Sequence, residues 1–181
     1  MTQDVNVLVT FWSRTGLTER LALAAALGAV QAKANIRLRW LREPGLHQDA
    51  DSVPGWRENR ARMEKEYVAP READLVWADA TFIAIPANLS IAAPELRPYL
   101  ELMASLHQRG KLGCKVGAAF LSAAPPAGQT DSLLAALCAS LAQFHLILVP
   151  PREESADPLE TARLHGRRVV EVARALKAVT M

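Results

Sequence analysis

Cysteine is scarce in this 181-residue sequence, which contains only Cys114 and Cys138. Two cysteines with no CxxC spacing and no neighbouring histidine cluster exclude a disulfide framework and the common structural metal sites. We expect both to pack as small apolar residues, Cys114 near the start of a strand and Cys138 within a helix. The four histidines are scattered, and none belongs to a recognisable catalytic motif.

Excess charge and long apolar runs are also missing. The chain has 21 basic and 19 acidic residues, a formal net charge of +2, which gives no basis for nucleic acid or an anionic membrane as a partner. The N-terminus lacks the features of a signal peptide, and no apolar run reaches the length of about 18 residues that spans a membrane. We therefore expect a soluble, cytoplasmic protein that binds no nucleic acid and no membrane.

Apolar residues are plentiful enough for a substantial core. They make up 50% of the chain, so we expect residues 1–181 to form a single domain. The run from Val5 to Phe11 is almost entirely apolar, which is typical of a strand covered on both faces. Ile36, Leu38 and Trp40 alternate with arginines, which is typical of a strand at a sheet edge.

Strand-like and helix-like segments alternate along the whole chain. The predicted strands are 5–11, 36–40, 79–85, 115–121 and 146–149, and the predicted helices are 17–33, 94–106, 131–144 and 158–179, with Pro94 in the first turn of the second helix. Residues 43–70 are rich in charge and contain three prolines, which indicates a long connection with at most a short helix at 57–66.

This alternation predicts a doubly wound α/β fold, with a parallel sheet and helices on both faces. Ligands of such folds bind where loops leave the carboxyl ends of the strands, near the point where the strand order reverses. The candidate loops are 12–18, 86–93 and 122–130.

The loop at 13–18, Ser-Arg-Thr-Gly-Leu-Thr, lies between the first strand and the first helix. The unpaired amides and the dipole of a helix N-terminus favour a phosphate there. The hydroxyls of Ser13, Thr15 and Thr18 can add donors, and Gly16 allows the backbone to turn around the anion. The alternative is that Ser13 or Thr15 only caps the helix. The motifs of Walker A and dinucleotide-binding loops are absent.

Ser13-Arg14-Thr15-Gly16-Leu17-Thr18 matches the pattern [ST]xTGxT, and in this the sequence resembles the flavodoxin-like superfamily. The similarity extends along most of the chain to the WrbA type of NAD(P)H:quinone oxidoreductase. The segments that carry it are 78–86, 95–101, 110–117, Ser122, 128–130 and 166–169. The resemblance implies a flavodoxin-like five-stranded parallel sheet in the order 2-1-3-4-5.

Two loops depart from the family's pattern. A PTRFGN-like second loop is replaced by Pro86-Ala87-Asn88-Leu89-Ser90-Ile91, which keeps only the proline. A third loop like STGTQHGG is replaced by 122–128, which has two prolines and no histidine. The phosphate-binding part of the site is therefore better preserved than the part that holds the flavin ring.

The resemblance implies FMN as cofactor, NAD(P)H and quinone-like molecules as substrates, and a homodimer or homotetramer. No residue is expected to be catalytic, because the cofactor supplies the redox chemistry. The implied cofactor-binding residues are Ser13, Arg14, Thr15, Gly16, Leu17, Thr18, Pro86, Ala87, Asn88, Leu89, Ser122, Ala123, Ala124 and Gly128. Trp12 is placed either against the flavin ring or in ordinary packing, and Arg14 either on the phosphate or in solvent.

Two other functions stay open at this point. One is a flavodoxin-like electron carrier, although the strongly acidic face of a carrier that docks on basic partners is not indicated by this slightly basic chain. The other is a flavodoxin-fold interaction domain with weakened or lost flavin binding, which the altered second and third loops suggest.

Overall fold

A computed structural model describes residues 4–42, 54–122, 130–152 and 155–180. In chain order the elements are β1 (Val5–Phe11), α1 (Leu17–Gln31), β2 (Ala34–Trp40), α2 (Trp56–Glu66), α3 (Glu72–Trp77), β3 (Ala80–Pro86), α4 (Arg97–Gln108), β4 (Val116–Ser122), α5 (Thr130–Gln143), β5 (Ile147–Leu148) and α6 (Pro158–Thr180).

The five strands form one parallel sheet in the order β2-β1-β3-β4-β5, which confirms the predicted fold class. The chain crosses from the β2 side to the β3 side at β1, so the strand order reverses between β1 and β3. Their carboxyl ends are aligned, since Phe11 pairs with Ala84 and Pro86 pairs with Ser122. Loops that follow β1, β3 and β4 therefore leave the sheet along one edge.

Each face of the sheet packs against its own helices. Val7, Val9 and Phe82 lie in one core cluster with buried residues of α1 and α6. Leu8 and Ile83 lie in the other, with buried residues of α4 and α5. The nearly continuous apolar runs of β1 and β3 follow from this two-sided burial, because successive side chains point to opposite faces.

The structure corrects three sequence-based expectations. The six-residue helix α3 was not predicted, because it is shorter than the period-based pattern can detect. Helix α4 begins at Arg97, so Pro98 and not Pro94 lies in its first turn. Cys114 is exposed with a φ of 60°, in a turn before β4, and does not pack in the core.

Among the described residues, no helix combines the length and the apolar character needed to cross a membrane.

Candidate functional site

Hydrogen bonds join the three predicted loops at the carboxyl edge of the sheet. The Trp12 amide donates to the Ala84 carbonyl (3.0 Å), and the Ala87 amide donates to the Ser122 carbonyl (3.0 Å). The hydroxyls of Thr18 and Ser122 lie 2.7 Å apart and are buried. The structure thus brings the first, second and third loops together, as the predicted fold requires.

The first turn of α1 carries no side-chain cap. Gly16 occupies the N-cap position with a φ of 88°, a left-handed conformation that favours glycine. The Ser13 hydroxyl accepts a hydrogen bond from the Gly16 amide (3.0 Å), so it shapes the turn and does not cap the helix. The amides of Leu17, Thr18 and Glu19 begin the helix and have no acceptor within it. The simple capping alternative for Ser13 and Thr15 is therefore wrong.

The other side chains of the 13–18 loop divide into buried and exposed groups. Ser13 and Thr18 are buried, and both hydroxyls are engaged within the protein. Thr15 is exposed, and Leu17 is 41% exposed despite its size. Thr15 is thus the hydroxyl of this loop that is most available to a ligand.

Arg14 lies between two tryptophans. Its guanidinium carbon is 5.4 Å from the Trp12 ring centroid and 5.3 Å from that of Trp56, at the start of α2. Both distances suit cation–π contacts. Arg14 Nε is buried and has no hydrogen-bond partner among the residues that the structure describes. Trp12 itself is only 3% exposed and belongs to the core, so it packs within the protein.

Helix α2 covers the 13–18 loop, a contact that the sequence did not indicate. Asn59 donates to the Arg14 carbonyl (3.1 Å). Arg62 donates to both carboxylate oxygens of Glu19, at 2.9 Å and 2.5 Å, and the Tyr67 hydroxyl donates to Glu19 Oε1 (2.8 Å). Part of the long 43–70 segment is therefore a neighbour of the candidate site, while residues 43–53 lie outside the described residues.

The contacts of Glu19 determine its protonation state. Burial opposes its ionisation, but the hydrogen bonds from Arg62 and Tyr67 outweigh burial and lower the pKa of the carboxyl. In turn, burial and the nearby Glu19 raise the pKa of Tyr67 to about 12. Glu19 is therefore a carboxylate at neutral pH, and Tyr67 is a hydroxyl that donates to it.

The second loop begins with a tight turn. The Leu89 amide donates to the Pro86 carbonyl (3.1 Å), and Asn88 at the tip is exposed. A cavity of about 450 Å³ lies between residues 87–91 and three residues of α5, which are Ser132, Leu133 and Ala136. Its size is within the range of roughly 300–1,000 Å³ that small-molecule sites occupy. The α5 residues were not predicted, since nothing in their local pattern differs from ordinary helix packing.

The third loop is described only at its start. Ser122 is buried at the end of β4, where its hydroxyl and its carbonyl contact the other two loops. The predicted site residues Ala123, Ala124 and Gly128 lie outside the described residues.

This arrangement fits the parts of FMN, which has a phosphate group and a flat ring. The uncapped amides of α1, the left-handed Gly16 and the exposed Thr15 can hold a phosphate. The cavity beside the Pro86–Leu89 turn has polar and apolar lining residues and can take a flat ring with a polar edge. Ser122 links it to the first loop, since its carbonyl accepts from Ala87, which lines the cavity, and its hydroxyl bonds to that of Thr18. The assignment of individual binding residues stays a prediction.

Comparison with known proteins places the chain in a family, although no family model matches it. A protein of Azorhizobium caulinodans named NAD(P)H dehydrogenase (quinone) is 30% identical over 146 residues, which cover 80% of this chain and 69% of that protein. One of the same name from Archaeoglobus fulgidus is 28% identical over 94% of this chain and 98% of its own.

Among solved structures, a flavodoxin, WrbA-like protein from Agrobacterium tumefaciens superposes with a TM-score of 0.65 at 26% identity, over 94% of this chain and 98% of that one. The similarity in sequence and the similarity in structure thus agree across nearly the whole chain. The chain belongs to the flavodoxin-like, WrbA-type family of NAD(P)H dehydrogenases (quinone).

Proposed function

We propose that this protein binds FMN at the carboxyl edge of its sheet and transfers electrons from NADH or NADPH to quinones or similar acceptors. The observation that carries the proposal is the uncapped first turn of α1 behind the left-handed Gly16, at the sequence match to the flavodoxin pattern. Relatives named NAD(P)H dehydrogenase (quinone) support the choice of donor and acceptor.

The protein's own contribution is binding and orientation. The amides of Leu17, Thr18 and Glu19, with the Thr15 hydroxyl, would hold the phosphate. The turn at Pro86–Leu89 and the adjoining cavity would hold the ring, with Asn88 as an exposed donor. FMN, when bound, would supply the redox chemistry, which couples the two-electron oxidation of the nicotinamide to the two-electron reduction of the acceptor, with the second proton of a hydroquinone product taken from solvent. No residue of the chain is assigned a nucleophilic or proton-transfer role.

The direct test is a titration of the purified protein with FMN, followed by flavin fluorescence, and then an assay of NADH and NADPH oxidation with benzoquinone. We expect saturable FMN binding and benzoquinone-dependent oxidation. FMN binding without turnover would favour an electron carrier, and no FMN binding would favour a flavin-free interaction domain. Either result would overturn the proposed activity.

A variant of the 13–18 loop tests where the phosphate binds. Thr15→Val removes an exposed hydroxyl, so FMN affinity should fall about fivefold while thermal stability is unchanged. Thr15→Ser keeps the hydroxyl and should bind FMN like the parent protein. If Thr15→Val binds FMN normally, this side chain does not contact the phosphate.

The assembly and location of the protein belong to the same proposal. We expect a homodimer or homotetramer, as the resemblance implies, and a location in the cytoplasm, as the sequence predicts. Light scattering of the purified protein measures the assembly.

A further inference from the structure

Glu19 creates an electrostatic problem for the proposed phosphate site. It is the third residue of α1, and it is only 5% exposed. A Cβ placed on Gly16 would lie 3.9 Å from Glu19 Oε2, so the carboxylate lies beside the turn that would surround the phosphate. An uncompensated carboxylate beside a phosphate repels it, and the repulsion is strong where solvent is partly excluded.

Arg62 on α2 is placed to cancel this charge. Its Nη1 and Nη2 donate to the two oxygens of Glu19 in a bidentate pair, the strongest geometry between these groups. Arg62 also contacts Glu66 on its own helix (2.5 Å), but Glu66 is 48% exposed and screened by solvent. The buried partner of Arg62 is Glu19.

The same helix also fixes the backbone of the loop. Arg62 donates to Asn59 Oδ1 (2.7 Å), and Asn59 donates to the Arg14 carbonyl (3.1 Å). The same hypothetical Cβ on Gly16 would lie 3.9 Å from Asn59 Nδ2. A continuous set of hydrogen bonds thus runs from Glu19 through Arg62 and Asn59 to the loop itself.

We propose that Arg62 is a positioning residue for phosphate binding, which neutralises Glu19 and, through Asn59, holds the 13–18 loop in its binding shape. The inference rests on the proposed function, because it concerns the phosphate of FMN. It assigns α2 a role in the site, although this helix lies in a segment with no motif of its own.

Titrations with FMN and with riboflavin, which lacks the phosphate, test the inference. We expect Arg62→Gln to weaken FMN binding about tenfold, because Glu19 is then uncompensated, and to change riboflavin binding by less than about twofold. Adding Glu19→Gln to Arg62→Gln removes the repelling charge and should restore most of the FMN affinity. Arg62→Lys keeps the positive charge and should retain most of the FMN affinity.

Controls separate this role from a purely structural one. Arg167→Gln removes another arginine–glutamate pair, with Glu171 on α6, and should leave FMN affinity unchanged. Thermal unfolding of each variant reports on its folding. Normal FMN affinity in Arg62→Gln, or an equal loss for FMN and riboflavin that Glu19→Gln does not restore, would overturn the inference alone. A parent protein that binds no FMN would overturn the proposed function and the inference with it.

Discussion

Thr18 shows how one hydroxyl at the start of a helix serves the fold. Its side chain is 2% exposed and is used within the protein, where it bonds to the Ser122 hydroxyl at 2.7 Å. The bond ties the first turn of α1 to the end of β4, which are far apart in sequence. The local motif predicted Thr18 as a phosphate donor, but its tertiary partner was visible only in the structure.

We predict that Thr18→Val destabilises the protein. Valine has a similar shape but no hydroxyl, so Ser122 loses its buried partner, and the free energy of unfolding should fall by about 1–2 kcal/mol. Urea denaturation measures the change. Thr18→Ser keeps the hydroxyl, so its free energy of unfolding should fall by less. If Thr18→Val is as stable as the parent protein, the hydrogen bond between Thr18 and Ser122 contributes nothing to stability.

At the scale of single residues, the sequence predicted those parts of the candidate site that depend on the local chain. Gly16 has the left-handed φ that its place in the motif suggested. The pair of Glu19 and Arg62 was not predicted, because 43 positions separate the two residues and neither belongs to a motif on its own. Contacts of this kind depend on tertiary packing and leave no periodic signal in the sequence.

Among the elements, helices α1 and α6 are in especially close contact, and two glycines make this possible. A Cβ on Gly28 would lie 1.9 Å from the Arg163 carbonyl oxygen, and a Cβ on Gly166 would lie 2.0 Å from that of Ala25. Small residues at such a crossing let the two backbones approach, and larger ones force them apart.

We predict that Gly28→Ala is strongly destabilising, although alanine is normally the better helix former. The methyl group meets backbone atoms, which cannot rotate away, so the free energy of unfolding should fall by about 3 kcal/mol or more. Gly113→Ala, in a turn, is the control for the added methyl group alone, since nothing lies within 4 Å of its Cβ, and its effect should stay within about 0.5 kcal/mol. Urea denaturation measures the free energy of unfolding of both variants. A Gly28→Ala protein as stable as Gly113→Ala would contradict the prediction.

Elements were predictable where burial imposes a pattern. The bounds of β1, Val5–Phe11, agree with the apolar run, because a strand buried on both faces needs apolar residues throughout. Helix α3, with six residues, is too short to show a period, and residues 94–96 form turns before α4 that resemble a helix start in composition. The residue at which a helix begins depends on local hydrogen bonds. At the start of α4 these are the bonds that the Leu96 and Arg97 amides donate to the Ala93 carbonyl.

At the scale of the whole molecule, the order of the strands explains why the site is assembled from distant segments. The alternation of strands and helices was sufficient to predict a parallel sheet, and the sheet alone brings the loops after β1, β3 and β4 to one edge. The position of α2 over the first of these loops follows from no such rule. The sequence therefore predicted the location of the candidate site better than it predicted which residues, such as those of α2, pack around it.

The face of the sheet that carries α6 contains a buried histidine. His165 is 1% exposed, and its Nε2 lies 2.9 Å from the Val149 carbonyl oxygen, to which a neutral ring donates. The rings of Phe82 and Phe120 surround it, with centroids at 5.0 Å and 6.2 Å. Burial, helped by the charge of Arg168 and opposed by the bond to Val149, lowers the pKa of His165 to about 4.

We predict that this residue makes the stability of the protein fall in mild acid. The unfolded chain binds a proton at His165 near the ordinary histidine pKa of 6.5, whereas the folded chain binds a proton there only near pH 4. The folded state therefore binds fewer protons between these values, and stability is lost as the pH falls through this window, by about 2 kcal/mol between pH 7 and pH 5. Carboxylates with lowered pKa values, such as Glu19 and Asp74, contribute stability that is lost mainly below about pH 5.

Urea denaturation at several pH values, compared with His165→Phe, measures the effect. The variant is expected to be less stable at pH 7 because it loses the bond to Val149, but the loss between pH 7 and pH 5 should nearly disappear; an equal loss in both proteins would place the titrating group elsewhere.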